Sequence, residues 1–386
     1  MGFVRGSDIE RRFPSIATME DAARRRSPRF AYEYMALGIG RGVGLARNRS
    51  ALDDVTLVPR YIDAAAAPDM ATELLGQTYD APFGVAPIGL GGLIWPKAAE
   101  HLASAARAHN IPFALSTFAT ASIETIAPLA GAQGWFQLYT PNDRAIEAEL
   151  IDRAAAAGFR TLVVTIDIPT PTTREHDTRN GLSVPPRFDA LTALQIAARP
   201  TWALTTLAVG IPRFETLLPY VPKGMGLDDA SRFLSDLIDG PMTRETLNRI
   251  RERWSGRLIV KGVLDPADAA LCRDIGADGI VVSNHGGRQS DAAPSALEVL
   301  AGIRDAVGGP MAILADGGVR SGIDIARMLA SGADFVLLGR AFMIAMCALG
   351  KPGADYAMAV LKRDLSAAMS QTGCATVGRL GEHLRG

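Results

Sequence analysis

Cysteine is scarce: Cys272, Cys347 and Cys374 are the only three in 386 residues, widely spaced and without a C-x-x-C pair. That excludes a disulfide framework and a thiolate zinc site, no metal is expected, and the natural compartment is a reducing cytoplasm. No charge of one sign dominates either, since 40 basic side chains face 41 acidic ones. A protein held to nucleic acid by bulk charge is thereby excluded. Long apolar runs are missing too. The opening MGFVRGSDIERRFPSIATMEDAARRR has no apolar stretch behind its basic residues, so no secretory signal is expected. The uncharged stretch from Ala81 to Pro96 is broken by Pro82, Pro87 and several glycines, and nothing reaches the roughly 18 apolar residues of a membrane span.

Against these absences stand 39 glycines, 23 prolines and an apolar share of 48%, enough for a large core. Length alone permits two or three domains, or one large α/β barrel. Short apolar, β-branched runs recur, each bounded by Gly, Pro or Asp and followed by an Ala-rich segment of helical period, which is the alternation of parallel βα units. Eight such runs occur, at residues 82–87, 112–116, 135–139, 161–167, 258–262, 279–285, 311–316 and 335–340. Six of the seven intervals between their starts span 21 to 32 residues, room for one strand and one crossover helix. Eight units predict a TIM (β/α)8 barrel in one domain over residues 1–386. A helical and irregular segment fills 1–80, the barrel 81–350, and C-terminal helices 351–386. A doubly wound sheet would carry its phosphate fingerprint after the first strand, whereas the richest glycine motifs here follow the last two.

The remaining interval, after the fourth strand, is 97 residues long, which predicts an insertion over about 170–255. Its uncharged core, Pro200 to Pro212, is too short to cross a bilayer and long enough to lie on one. Peripheral contact with the inner face of the cell membrane, a lid and a subunit contact all stay open. The string G-I-G-R-G-V-G at 38–44 follows no strand and is expected to be a mobile connection rather than a phosphate loop.

In this fold chemistry sits at the C-terminal ends of the strands. Reading those ends gives Ser116, Gln137, Tyr139, Thr165, Asp167, Lys261, Ser283, His285, Asp316 and Arg340, too many polar groups at buried positions to be packing alone. His285, in S-N-H-G-G-R-Q, is the one histidine of five at a strand end and the natural general base, with Asp167 to orient it. Lys261 needs an anionic ligand or a salt bridge. Arg174 and Arg288 flank the same mouth and suit a substrate carboxylate. A-D-G-G-V-R-S-G (315–322) and L-L-G-R-A (337–341) stand where such barrels bind phosphate, with Arg320 and Arg340 as counter-charges.

These residues resemble the FMN-dependent α-hydroxy-acid oxidase/dehydrogenase family, which includes glycolate oxidase, L-lactate dehydrogenase and mandelate dehydrogenase. The resemblance runs from A-Y-E-Y-M-A-L-G through R-N-R (47–49), W-F-Q-L-Y, T-R-E-H-D-T-R-N, V-K-G, S-N-H-G-G-R-Q and D-G-G-V-R-S-G to the C-terminal Q-T-G-C. G-L-I-W-P-K-A at 92–98 is nearest the mandelate dehydrogenase branch, whose members meet the membrane through the insertion after strand four. The resemblance implies FMN as cofactor and oxidation of an (S)-2-hydroxy acid, mandelate- or lactate-like, with electrons passed to a quinone or another acceptor, in a homotetramer. It also implies roles. His285 takes the substrate proton with Asp167 behind it, and Tyr34, Tyr139, Arg174 and Arg288 hold the substrate. Lys261 faces the flavin, and Pro87, Ile88, Gly89, Ser116, Gln137, Thr165 and Ser283 contact it. Asp316 takes the ribityl chain, and Gly317, Gly318, Arg320, Gly339 and Arg340 the phosphate.

Departures loosen the substrate rather than the chemistry. Ile88 stands where many members have Thr, Gly89 where many have Ala, and Ser290 replaces Leu in R-Q-L-D. Gly89 leaves room for a bulkier substrate, and Phe118 with the insertion is expected to line the side-chain pocket. Two alternatives keep the flavin barrel: an oxygen-using 2-hydroxy-acid oxidase, and an enzyme acting on a peptide-derived substrate. Both arginines being present disfavours the second.

Overall fold

A computed structural model describes residues 6–62, 67–170, 172–182, 187, 189–238 and 240–385. Eight parallel strands close into a barrel: β1 (Phe83–Val85), β2 (Phe113–Ser116), β3 (Gly134–Tyr139), β4 (Thr161–Thr165), β5 (Arg257–Val263), β6 (Gly279–Val282), β7 (Ala312–Asp316) and β8 (Phe335–Leu338), with β8 pairing back to β1. Each apolar run read from the sequence forms one strand, and each strand is followed by a helix packed outside. Six of those eight helices begin on a Ser, Thr or Asp whose side chain accepts a backbone N–H: Ser122, Asp143, Thr243, Asp265, Ser295 and Ser321. The helices starting after Lys97 and Gly339 have no such side-chain cap.

The barrel interior is filled by Ala114, Trp135, Val163, Ile259, Val281, Leu314 and Phe335, all buried. Below them sits an element absent from the sequence reading, an antiparallel hairpin pairing Thr72–Leu74 with Gln77–Tyr79. Its turn, Leu75-Gly76, has both residues at positive φ, 54° and 78°, the primed geometry of a two-residue hairpin. Tyr79 plugs the barrel floor. Its ring meets Phe335 edge-on at 5.7 Å and its hydroxyl accepts from Trp135 Nε1 at 3.3 Å, and burial pushes the phenol up to about 12.

The insertion follows β4 and contains helices Glu175–Arg179, Ala190–Ala197, Pro200–Val209 and Leu227–Asp236 before the crossover helix Arg244–Arg253. Trp202 anchors it to the body: the indole is buried, stands edge-on to Phe30 at 5.7 Å and donates to the Leu93 and Ile94 carbonyls at 3.2 Å. That leaves Leu204, Leu207 and Ile211 facing outward, 66, 81 and 76% exposed. Among the described residues no helix is long and apolar enough to cross a membrane.

The glycine string at 38–44 is not the mobile connection expected. Ile39 donates its N–H to the Gly287 carbonyl, and the N–H groups of Arg41 and Gly44 reach the Asp291 carboxylate at 3.0 and 2.8 Å. Gly38 is needed because a Cβ there would lie 2.4 Å from the Gly287 oxygen. The string docks the N-terminal segment against the loop that carries His285, a function spacing alone does not reveal.

Candidate active site

The C-terminal strand ends open onto a cavity of about 420 Å³. Tyr34, Pro87, Ile88, Gly89, Tyr139, Arg174, Lys261, His285, Arg288, Asp316, Gly317, Gly318, Arg320, Gly339 and Arg340 line it. Ser116, Gln137, Thr165 and Ser283 are buried outside that wall, and Asp167 stands against the His285 ring. The residues singled out in the sequence therefore gather at one end of the barrel, most of them in the cavity wall and Ser116, Gln137, Thr165, Asp167 and Ser283 behind it.

His285 lies three residues past β6 with φ at 56°, a left-handed conformation that costs a non-glycine residue about 1 kcal/mol. Several contacts hold it there. Its N–H donates to Ser283 Oγ at 3.0 Å, and Asn284, just before it, makes four side-chain hydrogen bonds: Oδ1 accepts from Asn48 Nδ2 and the Gly287 N–H, and Nδ2 donates to Asn48 Oδ1 and the Pro294 carbonyl. Nδ1 of the imidazole is 3.0 and 3.1 Å from the two Asp167 oxygens. Burial alone would raise the Asp167 carboxyl, but the facing imidazole, its hydrogen bond and the Lys261 charge hold it below its ordinary value. Asp167 is thus ionised at neutral pH and can only accept, so Nδ1 carries a proton, and in the neutral imidazole the free lone pair is on Nε2. Nε2 points toward the Tyr139 hydroxyl at 3.4 Å. Room for Asp167 comes from Gly262, at a bulge in β5, where a Cβ would come within 2.5 Å of the carboxyl carbon.

Lys261 is 4% exposed and lies between two partners, Asp316 Oδ2 at 3.1 Å and Ser283 Oγ at 2.9 Å. Burial lowers its ammonium, yet Asp316 and Asp167 more than offset this and the net shift is upward. On the other wall, the Arg288 guanidinium lies 4.8 Å over the Tyr34 ring and donates to the Tyr34 and Leu37 carbonyls. Arg174 stands 5.7 Å from the same ring and is held by Asp177 at 3.2 Å. Two guanidiniums over one tyrosine, beside the imidazole nitrogen that Asp167 does not engage, form a receptor for a carboxylate next to a proton acceptor.

Arg340 spends its fork on three carbonyls, those of Met35, Gly286 and Leu37. Burial, then repulsion from Arg288, Arg320 and Arg174, pushes its guanidinium well down, and burial brings Arg320 down to about 10. Arginine keeps its proton in proteins, so both shifts read as cations lacking an anion. Beside them the helix beginning at Arg340 starts on Gly339, uncapped, its N–H groups available to a phosphate.

A flavin fits what these groups leave unmet. Gln137 donates Nε2 to Thr165 Oγ1 at 2.9 Å, while its buried Oε1 has no partner, and Asp316 Oδ1 is likewise buried and unpartnered. Each such atom costs about 1–3 kcal/mol unless a ligand donor reaches it. Imide and ribityl donors with a phosphate beyond them match an acceptor, a second acceptor and a cationic, uncapped helix end in turn. No group of three or more potential metal ligands occurs among the described residues.

The sequence reading missed the apolar half of the mouth by residue. Ile168, Phe214, Leu234 and Ile238 line it with Phe118, and three of these come from the insertion, whose irregular spacing carries no periodic signal. It also missed Asn284, although Asn284 sits inside a motif already quoted.

Comparison with known proteins agrees with this geometry. The family described as FMN-dependent dehydrogenase matches residues 23–385. Similar proteins include an L-lactate dehydrogenase of Caulobacter vibrioides, 40% identical over 95% of this chain and 96% of its own length. An L-lactate dehydrogenase of Xanthomonas campestris pv. campestris is 41% identical over 93% of each chain. Among solved structures, a monotopic membrane protein, (S)-mandelate dehydrogenase, superposes with a TM-score of 0.91 at 33% identity, covering 96% of this chain and 98% of its own. A mandelate oxidase gives 0.81 at 32% identity over 97% and 98%.

Proposed function

This chain belongs to the FMN-dependent dehydrogenase family, and from the geometry of its site we propose the roles its residues take in oxidising a 2-hydroxy acid to the 2-oxo acid. FMN is the cofactor and a 2-hydroxy acid the class of substrate. Arg174 and Arg288 hold the substrate carboxylate, with the Tyr34 and Tyr139 hydroxyls beside them. His285 Nε2 accepts the proton that leaves the substrate as its C2 is oxidised, and Asp167 offsets the imidazolium that results. Bound FMN supplies the two-electron acceptor.

Ser116, Gln137, Thr165 and Ser283 hold the ring system, aided by backbone at Pro87, Ile88 and Gly89. Lys261 offers it a fixed positive charge, Asp316 Oδ1 takes a ribityl hydroxyl, and Gly317, Gly318, Arg320, Gly339 and Arg340 hold the phosphate. The observation that carries this reading is the imidazole itself, which lines the cavity with Nδ1 committed to Asp167, so that Nε2 is the ring nitrogen left to take a substrate proton. Purified yellow protein should bleach anaerobically with (S)-mandelate or L-lactate, and His285→Asn should keep its FMN without bleaching. A wild-type flavin that stays oxidised with every 2-hydroxy acid overturns the reading.

The insertion, in this reading, rests on a membrane surface, and electrons pass to a quinone dissolved there. Its support is the outward row of Leu204, Leu207 and Ile211, together with a similar structure described as monotopic.

A further inference from the structure

The mouth is chemically divided. Its polar half consists of Tyr34, Tyr139, Arg174, His285 and Arg288, all of which the proposed oxidation uses. The other half is mainly apolar, built from Phe118, Ile168, Phe214, Leu234 and Ile238 with Gly89 at the edge; its polar side chains are the uncharged Thr172, Ser235 and Gln289, the first donating to the last at 3.1 Å. Phe118 links the halves, since its ring is tilted against Tyr139 at 5.4 Å and meets Phe214 edge-on, at 89° and 5.1 Å. A Cβ on Gly89 would sit 3.4 Å from Phe118 Cβ, so glycine there keeps clear the space beside that ring.

A 2-hydroxy acid carries three groups besides hydrogen on C2. The carboxylate has Arg174 and Arg288, and the hydroxyl has Nε2 and Tyr139. The third substituent is directed to what remains, the apolar half. A methyl group would leave most of that wall facing water, whereas a phenyl ring covers it and meets Phe118 and Phe214 in the edge-on geometry aromatic rings prefer.

We infer that Phe214, Leu234 and Ile238 of the insertion form, with Phe118, a specificity pocket that makes this enzyme selective for 2-hydroxy acids with an aromatic C2 substituent over those with a methyl. The inference rests on the oxidation proposed above. It also gives the insertion a second task besides surface contact: one stretch of chain turns Leu204 and Leu207 outward and Phe214 inward. No cationic side chain stands among these residues, so 2-hydroxy dicarboxylates are disfavoured by the cost of burying a charge without a counter-ion.

The test has two arms on the FMN-loaded protein. In the first, binding of phenylacetate and of acetate is followed by perturbation of the flavin absorbance, which needs no turnover. Phenylacetate should bind at least tenfold tighter in wild type, and Phe214→Ala should remove most of that advantage. In the second, anaerobic flavin reduction is compared for (S)-mandelate and L-lactate. The kcat/KM ratio should favour mandelate by on the order of 100-fold, and fall at least tenfold, through KM, in Phe214→Ala. Phe214→Leu, which keeps an apolar wall and guards against a folding defect, should give an intermediate ratio. Equal binding of the two acids, or equal loss of both substrates in Phe214→Ala, overturns the pocket. Tight phenylacetate binding without reduction by any 2-hydroxy acid overturns the oxidation instead, and with it the substrate half of this inference.

Discussion

Asn48 and Asn284 exchange their carboxamides across 236 residues of sequence, Nδ2 to Oδ1 at 2.9 Å one way and 2.8 Å the other, with both side chains buried. Asn48 belongs to the helix Val43–Asp54, outside the barrel, and its backbone oxygen would lie 2.6 Å from a Cβ on Gly318. One residue therefore touches the loop of the proposed base and the loop proposed to hold the phosphate. Asn48→Ala leaves Asn284 one donor and one acceptor short, which should lower stability by about 1–3 kcal/mol. Loosening the left-handed turn at His285 should also slow flavin reduction tenfold or more. Thermal unfolding and stopped-flow reduction of the same preparation check both effects. Loss of stability with an unchanged reduction rate would show that the pair holds the fold without positioning the imidazole.

Asp167 fixes which imidazole nitrogen carries the proton, and its replacement tests that directly. In Asp167→Asn the amide can donate to Nδ1 and so stabilise the tautomer in which Nε2 is protonated and useless as a base. Flavin reduction should fall by about 10²–10⁴-fold, with substrate binding retained. Single-turnover bleaching and static titration with a non-oxidisable carboxylate separate the two effects.

Much of this was open to reading in the chain. Parallel strands buried on both faces are short continuous apolar runs, so all eight barrel strands were legible, and polar residues ending such runs had to converge because a barrel brings its strand ends together. The hairpin at 72–79 was not legible, because three-residue strands carry too few alternations to show a period, and Leu75 at positive φ defies its own preference. Phe214, Leu234 and Ile238 escaped for a related reason. They are apolar residues in an insertion already rich in them, and which turn inward is decided by docking, through Trp202 and Phe118, rather than by local pattern. Asn284 looked like a bystander to His285 because its partner is remote in sequence.

Lys261 and Asp316 form a buried ion pair at 3.1 Å, and the Asp167 carboxylate adds a further attraction to Lys261 from beyond contact. Lys261→Met removes one partner and leaves a carboxylate buried, which should cost about 3–5 kcal/mol and weaken FMN retention. The double variant Lys261→Met/Asp316→Asn should recover part of that stability while remaining slow in flavin reduction. Denaturant midpoints and the flavin content after gel filtration check it. A double variant as unstable as Lys261→Met alone would mean that the lost stability arises elsewhere.

Acid should expose the Asp167–His285 pair. The folded Asp167 carboxyl lies below its ordinary value, so the unfolded chain binds that proton more readily. Its contribution is full above the unfolded value near ~3.9 and is lost as pH falls through the folded one. Lys261 acts at the other end: its raised folded value means a contribution present below about 10.4 that disappears as pH rises beyond it. Urea midpoints between about pH 3 and 6 should fall more steeply toward acid in wild type than in Asp167→Asn. Equal slopes would place the acid sensitivity in other carboxylates.

The outward row on the insertion makes a prediction separable from catalysis. Leu204, Leu207 and Ile211 are exposed while Trp202, in the same helix as the two leucines, is buried against Leu93 and Ile94. Changing the exposed leucines should therefore alter surface attachment without undocking the helix. Each buried side chain contributes roughly 1.5–3 kcal/mol to transfer from water, so Leu204→Glu/Leu207→Glu should weaken binding to lipid vesicles by at least 100-fold. Bleaching of the flavin by substrate should stay at the wild-type rate, because neither leucine lines the cavity. Trp202→Ala should do the reverse of a selective change. With its anchor gone, the helix loses its seat next to Phe30, and both vesicle binding and the Phe214 side of the cavity should suffer together. Co-sedimentation and stopped-flow bleaching of the two variants distinguish these outcomes, and vesicle binding unaffected by the double glutamate variant would rule out this face as the attachment surface.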